Sequence, residues 1–444
     1  MNASVASRGR RRTASVAFVA ILLFAACDVS EGDRGSERTA VASGRVLNVP
    51  NEHATIQAAV DAAAPGDLVL IAPGTYRESV RVTTERIVLR GLDRDGVVLD
   101  GGFALGDGIL VAADGVAVEN LTVMNFRQNG VVFTGVAAAS ARGSGGYGAV
   151  YGAGDAVLDG YRVSYVTVAN NGLYGLYAFA ARNGVFEHSY ASGHPDSGFY
   201  VGQCRPCNAV LRHLYAEGNA IGYYGTNASG DVWIVESVFV GNRLGIAPNS
   251  QDAELLAPQE QSFVVGNLVI DNQGVDTPEI ADGFFGAGIA VGGGTTNVVL
   301  RNRVEGNLGA GIIVLPLGGY DPVGNEIREN VLADNGYDLV LRLSTIAAES
   351  WAGGNCFTAN TFATSDPVDL EAVAPCGVSA RSWTPGGYST PPAPPGRSVR
   401  DLPPPPSQPS MPDAATAPAR PVGGVPAMPD PARIAVPERG SWLR

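Results

Sequence analysis

Lysine is absent from the 444 residues, so all 30 strongly basic side chains are arginine. That excludes the phosphate-binding loop ending in Gly-Lys-Ser/Thr, and any chemistry built on a lysine Schiff base or general base. Methionine is scarce at four residues, and no Met/His-rich run occurs, which leaves few soft ligands for copper. Basic residues are outnumbered by 43 acidic ones, for a formal net charge of −13. Nucleic acid is therefore not expected as a partner, because phosphate binding rests on a basic surface. Neither His-Glu-x-x-His nor Gly-x-Ser-x-Gly occurs. The one N-terminal apolar run, Ala14 to Ala26, has 13 residues and is too short for a bilayer span of ~20 residues.

That run has the form of an export signal. Arg8, Arg10, Arg11 and Arg12 precede it, and it ends at Phe24-Ala25-Ala26-Cys27. Small residues before a cysteine resemble the lipobox of bacterial lipoproteins, although that box usually has an aliphatic residue where Phe24 stands. The resemblance implies lipidation at Cys27 and an extracytoplasmic, membrane-anchored protein at the cell surface or in the periplasm. The alternative is an ordinary cleaved secretory signal with an incidental cysteine. Removing residues 1–26, which hold four Arg and no acidic residue, takes the net charge to −17. The other cysteines then read as two disulfides, Cys204 with Cys207 and Cys356 with Cys376, as an oxidising compartment allows. Cys204-Arg-Pro-Cys207 has no second pair at zinc-ligand spacing, so no metal site is assigned to it.

Composition shifts divide the rest. Residues 27–44 are polar and read as a tether. Residues 45–383 are apolar and periodic. Residues 384–444 hold 17 of the 29 prolines and six of the 58 glycines, and read as a Pro-rich disordered tail.

The periodic region repeats. Gly175, Gly198, Gly222, Gly245, Gly288 and Gly311 each open an apolar stretch, at successive spacings of 23, 24, 23, 43 and 23. The interval of 43 is read as holding an extra coil around Val264 to Asp271, with insertions on either side. Asparagine recurs just upstream, at Asn171, Asn219, Asn242, Asn272, Asn307 and Asn335. The runs between are short and β-branched. A period of ~20–25 residues with short strands signals a solenoid. The pattern predicts an all-β parallel β-helix of roughly 10–12 coils. Stacked asparagines would bond from coil to coil. Ile56, Ala59, Val60 and Ala63 have helical spacing and predict a short N-terminal capping helix, ended by Pro65-Gly66-Asp67.

Ile56-Gln-Ala-Ala-Val, Pro65-Gly-Asp and Ala72-Pro-Gly-Thr-Tyr76, with the later Asn–Gly–Ile coils, resemble the right-handed parallel β-helix proteins of the pectate-lyase-like superfamily. The resemblance covers roughly residues 45–375 and implies a right-handed helix. It says less about activity, because this fold carries several chemistries. The Asp-Pro-His-Glu signature of mannuronan epimerases is missing, and no calcium-binding Asp cluster like that of pectate lyases is evident.

Alternation along the strands puts Phe199, Val201, Ile289, Val291, Ile312 and Val314 inside. Tyr177, Tyr200 and Tyr224 then point outward on consecutive coils as an aromatic ladder, which suits sugar rings. The same ladder also reads as ordinary solenoid stabilisation. Beside it, His194, Asp196 and Tyr200 can form an acid/base group, with Arg205 to neutralise a substrate carboxylate. The favoured alternative for His194 and Asp196 is local capping of a turn. Tyr177, Tyr224, Gln203 and His213 complete the candidate substrate-binding set.

The functional expectation is an exported, lipid-anchored β-helix protein that binds a polysaccharide, and modifies it as a lyase or epimerase if the acid/base group is real. Calcium is the one cofactor considered. The membrane is touched only through the lipid, and the oligomeric state is left open. The rival readings are a non-catalytic surface scaffold and, less favoured, an accessory protein of metal-site maturation.

Overall fold

The computed structural model describes residues 44–136, 157–252, 255–279, 283–344, 352–381, 383 and 386–440. The export signal, Cys27 and the tether up to residue 43 lie outside the described residues.

The chain winds so that each coil gives one short strand to each of three parallel sheets, of twelve, eleven and ten strands. The coil count agrees with the 10–12 expected. Register is kept by like residues stacking on like. Leu176 faces Phe199, which faces Tyr223; their neighbours Tyr177, Tyr200 and Tyr224 align in the same way. Phe199, Val201, Ile289, Val291, Ile312 and Val314 all lie in the interior cluster, as the alternation requires.

Asparagine ladders satisfy the polar backbone of the turns. Asn219 donates from its backbone N and its Nδ2 to Asn242 Oδ1, both at 3.0 Å. Asn242 repeats this to Asn272, Asn272 to Asn307, and Asn307 to Asn335. A second ladder runs through Ser237, Asn267, Asn302, Asn330 and Asn360. Each rung fills donors and acceptors that burial would otherwise leave unpaired.

The interval between Gly245 and Gly288 corrects one expectation. Leu244 and Ala287 are direct neighbours in the eleven-stranded sheet, so this interval is a single coil and not an added one. Its other strands, Ser262–Val265 and Leu268–Ile270, carry the long insertions on their flanks.

Both ends are closed. At the N-terminus the helix Ile56–Ala62 buries Ile56, Ala59 and Val60 against the first coils, and Thr55 Oγ1 accepts from Ala58 N at 3.1 Å. At the other end Leu370–Val373 buries Leu370, and the disulfide Cys356–Cys376 ties the cap to the last coil. Cys204 and Cys207 form the second disulfide, which excludes their use as a metal pair.

The C-terminal residues overturn the expectation of a disordered tail. From Tyr388 the chain doubles back along the solenoid as an ordered strap. Asp366 accepts from Gly386 N and Tyr388 N, both at 2.7 Å, and pairs with Arg342 at 2.6 Å. The strap passes Thr277 and Asn170, reaches Asp95, Arg94 and Arg90, then returns over the twelve-stranded sheet. There Ala419 and Val422 pack on Leu68, Val88 and Ala117. Ile434 and Met428 pack on Val210, Trp233, Val265 and Leu300.

The physical reason lies in arginine and proline together. A proline-rich chain has few N–H groups to pair with itself, but its carbonyls are good acceptors. Arg243 donates to Pro394 O at 2.6 Å and Pro395 O at 2.9 Å. Arg94 donates to Pro409 O at 3.1 Å, Arg301 to Pro431 O at 3.0 Å and Arg303 to Pro437 O at 2.6 Å. Arg90 donates to the carbonyls of Ala414, Ala417 and Pro418. A guanidinium has five donors in a rigid fork, so it can hold two or three carbonyls at once.

Candidate functional site

His194 lies inside the asparagine ladder. Its exposure is 0%, and it takes the place that Asn holds on neighbouring coils. Asn171 Nδ2 lies 3.2 Å from His194 Nε2, and His194 Nδ1 lies 2.8 Å from Asn219 Oδ1. Asn171 can only donate through that nitrogen, so the ring accepts at Nε2 and carries its proton on Nδ1. The imidazole thus copies both halves of an asparagine amide. Burial pushes its pKa down to about 4, against a smaller opposing effect of the Asn219 bond. The ring is neutral at pH 7 and sealed from solvent, which corrects its expected place in an exposed acid/base group.

The tyrosine ladder exists, but it is not an open platform. Tyr177 and Tyr200 have ring centroids 4.9 Å apart, and Tyr200 and Tyr224 6.3 Å apart. Their exposures are 8%, 2% and 3% respectively. Tyr174 stacks on Tyr177 at 4.4 Å, and Gln251 Nε2 donates to the Tyr224 hydroxyl at 2.7 Å. Little ring area is left for a sugar face.

The remaining expected residues do not converge. Asp196 is a half-buried turn residue whose carbonyl accepts from Ile221 N at 2.9 Å. Arg205 holds an insertion of its own chain: it donates to Leu256 O at 3.0 Å, to Pro258 O and to Ser229 Oγ, and pairs with Glu260 at 3.5 Å. Gln203 is buried, and its Oε1 accepts from Leu256 N at 3.3 Å. His213 stacks on His188 at 4.9 Å, and His188 on Tyr165 at 4.8 Å, as a separate ladder. Among the described residues no three His, Cys, Asp or Glu side chains gather in a metal-binding group.

A concave site that sequence reasoning missed lies on the outer side of the ten-stranded sheet. It is a cleft of about 440 Å³. Its floor is formed by Tyr190, Ser192, Glu217 and Val240, one wall by Asn170 and the other by Val275, Asp276 and Thr277. The strap residues Leu402, Pro403, Pro404 and Pro406 complete the lining. The Tyr190 hydroxyl donates to Glu217 Oε1, and Tyr215 stacks on Tyr190 at 5.9 Å. Burial, reinforced by the adjacent carboxylate, raises the Tyr190 pKa far above the usual phenol range, so it remains a donor. The floor is set by register: Tyr190, Tyr215 and Val238 align on successive coils, as do Ser192, Glu217 and Val240. A tyrosine repeated 25 residues on, two positions before a glutamate, was the available signal.

A family model described as a right handed beta helix region matches residues 147–364. No curated protein matches the sequence. Among solved structures, pectate lyase Pel9A is 14% identical, with 74% of this chain and 80% of that chain covered and a TM-score of 0.42. The A-module of the Azotobacter vinelandii mannuronan C-5 epimerase AlgE4 is 15% identical, covering 73% and 93%, with a TM-score of 0.39. A lacto-N-biosidase of family GH136 from Eubacterium ramulus is 14% identical, covering 69% and 64%, with a TM-score of 0.47. The three parallel sheets show the fold of a parallel β-helix, and its residues 147–364 match the right-handed form.

Proposed function

We propose that this protein is an exported, lipid-anchored β-helix that binds a polysaccharide without cleaving or epimerising it. The cleft on the ten-stranded sheet carries the reading. It joins apolar surface from Val240 and the prolines to polar groups from Glu217, Asn170, Ser192 and Asp276. Sugars present the same combination, with C–H faces for the apolar surface and hydroxyls for the carboxylates and amide. Its volume of about 440 Å³ falls in the range of small-ligand sites. The non-catalytic part of the proposal is supported by the burial of His194 in a structural ladder. Anchoring is supported by the arginine-led apolar run that ends at Cys27.

A glycan array probed with the chain starting at Cys27 tests the reading, run with and without calcium. The expected result is a hit that weakens at least tenfold in Glu217→Ala and leaves Tyr200→Ala unaffected in binding. No hit across a broad panel would leave the rival of a scaffold for protein partners. Anchoring is tested separately: Cys27→Ser should release the protein from the membrane fraction.

A further inference from the structure

The strap contributes Leu402, Pro403, Pro404 and Pro406 to the lining of the cleft. Two sets of contacts pin the strap on either side of it. On one side Arg243, at 0% exposure, holds Pro394 and Pro395, Arg397 N donates to Thr277 O at 2.8 Å, and Arg397 pairs with Asp276 at 2.6 Å. On the other side Gln408 N donates to Asp95 at 3.1 Å, Arg94 N to Ser410 Oγ at 2.9 Å, and Met411 N to Asn120 Oδ1 at 2.6 Å.

The section between the pins is held differently. Pro403 to Pro406 have no N–H groups, so their backbone can only accept hydrogen bonds and cannot donate to the sheet. Asn170 Nδ2 donates to Pro403 O at 2.9 Å, and the Arg400 guanidinium lies 5.1 Å from the centre of the Phe103 ring. Four successive prolines favour a stiff polyproline II rod, and three of them, Pro403, Pro404 and Pro406, line the cleft.

Next to that rod sits the one helical turn between the pins, the 3-10 turn Val399–Asp401, capped by Ser398. A 3-10 residue advances the chain by ~2 Å, against ~3 Å in an extended conformation. Unwinding this turn therefore releases about 3 Å of slack without loosening either pin. A rod tethered at both ends and given that slack bows outward at its middle, over the Tyr190–Glu217 floor.

We infer that the segment Ser398–Pro406 is a hinged cover over the cleft, with the Val399–Asp401 turn as its hinge and slack. It opens to admit a ligand to the floor and closes while both pins stay seated. The inference rests on the cleft being the ligand site, but the movement can be measured with no sugar present.

The test is the alkylation rate of a thiol placed on the floor, Ser192→Cys, in the full mature chain with a bulky maleimide. Two further variants are made in that background. Asn170→Ala with Arg400→Ala removes the cover's hydrogen bond and its cation–π contact, leaving Leu402 beside Gly193, and labelling should speed up at least fivefold. Deletion of Val399 removes slack, and labelling should slow at least fivefold. Hydrogen exchange at the amides of Arg397 and Gln408 checks that the pins stay seated. If the deletion unseats them, the Asn170/Arg400 variant decides alone. Equal rates in all variants, or rates in the opposite order, would overturn the cover. A failed glycan array with a working thiol series would instead remove the sugar and keep the movement.

Discussion

Replacing His194 by asparagine should leave the fold intact at pH 7 and make it more acid-resistant than the parent chain. The direction follows from where the proton goes. An unfolded histidine binds a proton below about pH 6.5, whereas the buried ring does so only near pH 4. His194 therefore contributes its full stability above pH 6.5, and that contribution drains away as pH falls towards 4. The loss over this window is on the order of 3 kcal/mol. An added proton on Nε2 would also face the Asn171 amide, donor against donor. Asparagine supplies the same acceptor and donor without titrating, so the stability difference between variant and parent should grow by roughly that amount from pH 7 to pH 4. His194→Ala should instead cost about 2–4 kcal/mol at pH 7, because Asn171 Nδ2 and Asn219 Oδ1 both lose a partner. Denaturant melts of the three chains at pH 7, 5.5 and 4 give the answer. Equal pH dependence in parent and Asn variant would mean that the ring is not a neutral rung.

The second large effect is expected at Arg90. Its Nε donates to Glu119 at 2.6 Å, and both side chains are almost wholly buried. Its other nitrogens reach Ala417 O at 2.6 Å and Pro418 O at 3.1 Å in the strap. Arg90→Met removes the donors from both sides and leaves Glu119 with Arg162 alone. Breaking a buried ion pair in this one-sided way costs about 3–5 kcal/mol. Arg90→Lys should recover little, because one ammonium cannot span a carboxylate and two carbonyls in a fixed fork. The far end of the strap should loosen first. Hydrogen exchange at Val422 N, which bonds to Gly115 O at 2.9 Å, should rise at least tenfold in Arg90→Met while the ladder amides of Asn219 and Asn242 stay protected. Free exchange at Val422 in the parent chain would show that the strap is not docked in solution.

The solenoid was legible because its information is local and repeated. Asn219, Asn242 and Asn272 recur once per coil because each must donate to the next, and Phe199 and Val201 alternate because each strand has an inner face. The place of His194 can be read in the same way, since it falls between Asn171 and Asn219 at the ladder spacing. What the sequence hid is contact between residues far apart along the chain. Arg90 lies 327 residues from Ala417, and Arg243 lies 151 from Pro394, so composition saw a proline-rich tail and not its partners. The tyrosine ladder failed for the same reason. Its spacing set the stack of Tyr177, Tyr200 and Tyr224, but segments elsewhere decide whether a stack is open. The cleft was hidden twice, since its floor comes from three coils and its cover from the strap.

The central claim is that the cleft binds a polysaccharide that the protein does not alter. Its most direct test is to incubate the mature chain with each glycan that the array selects and to follow the sugar by NMR, with binding measured in parallel for Glu217→Ala. The account predicts an unchanged glycan and binding that falls at least tenfold in the variant. Shortened, unsaturated or epimerised product that disappears in His194→Asn would contradict it, and would return His194 to the chemistry of an active site.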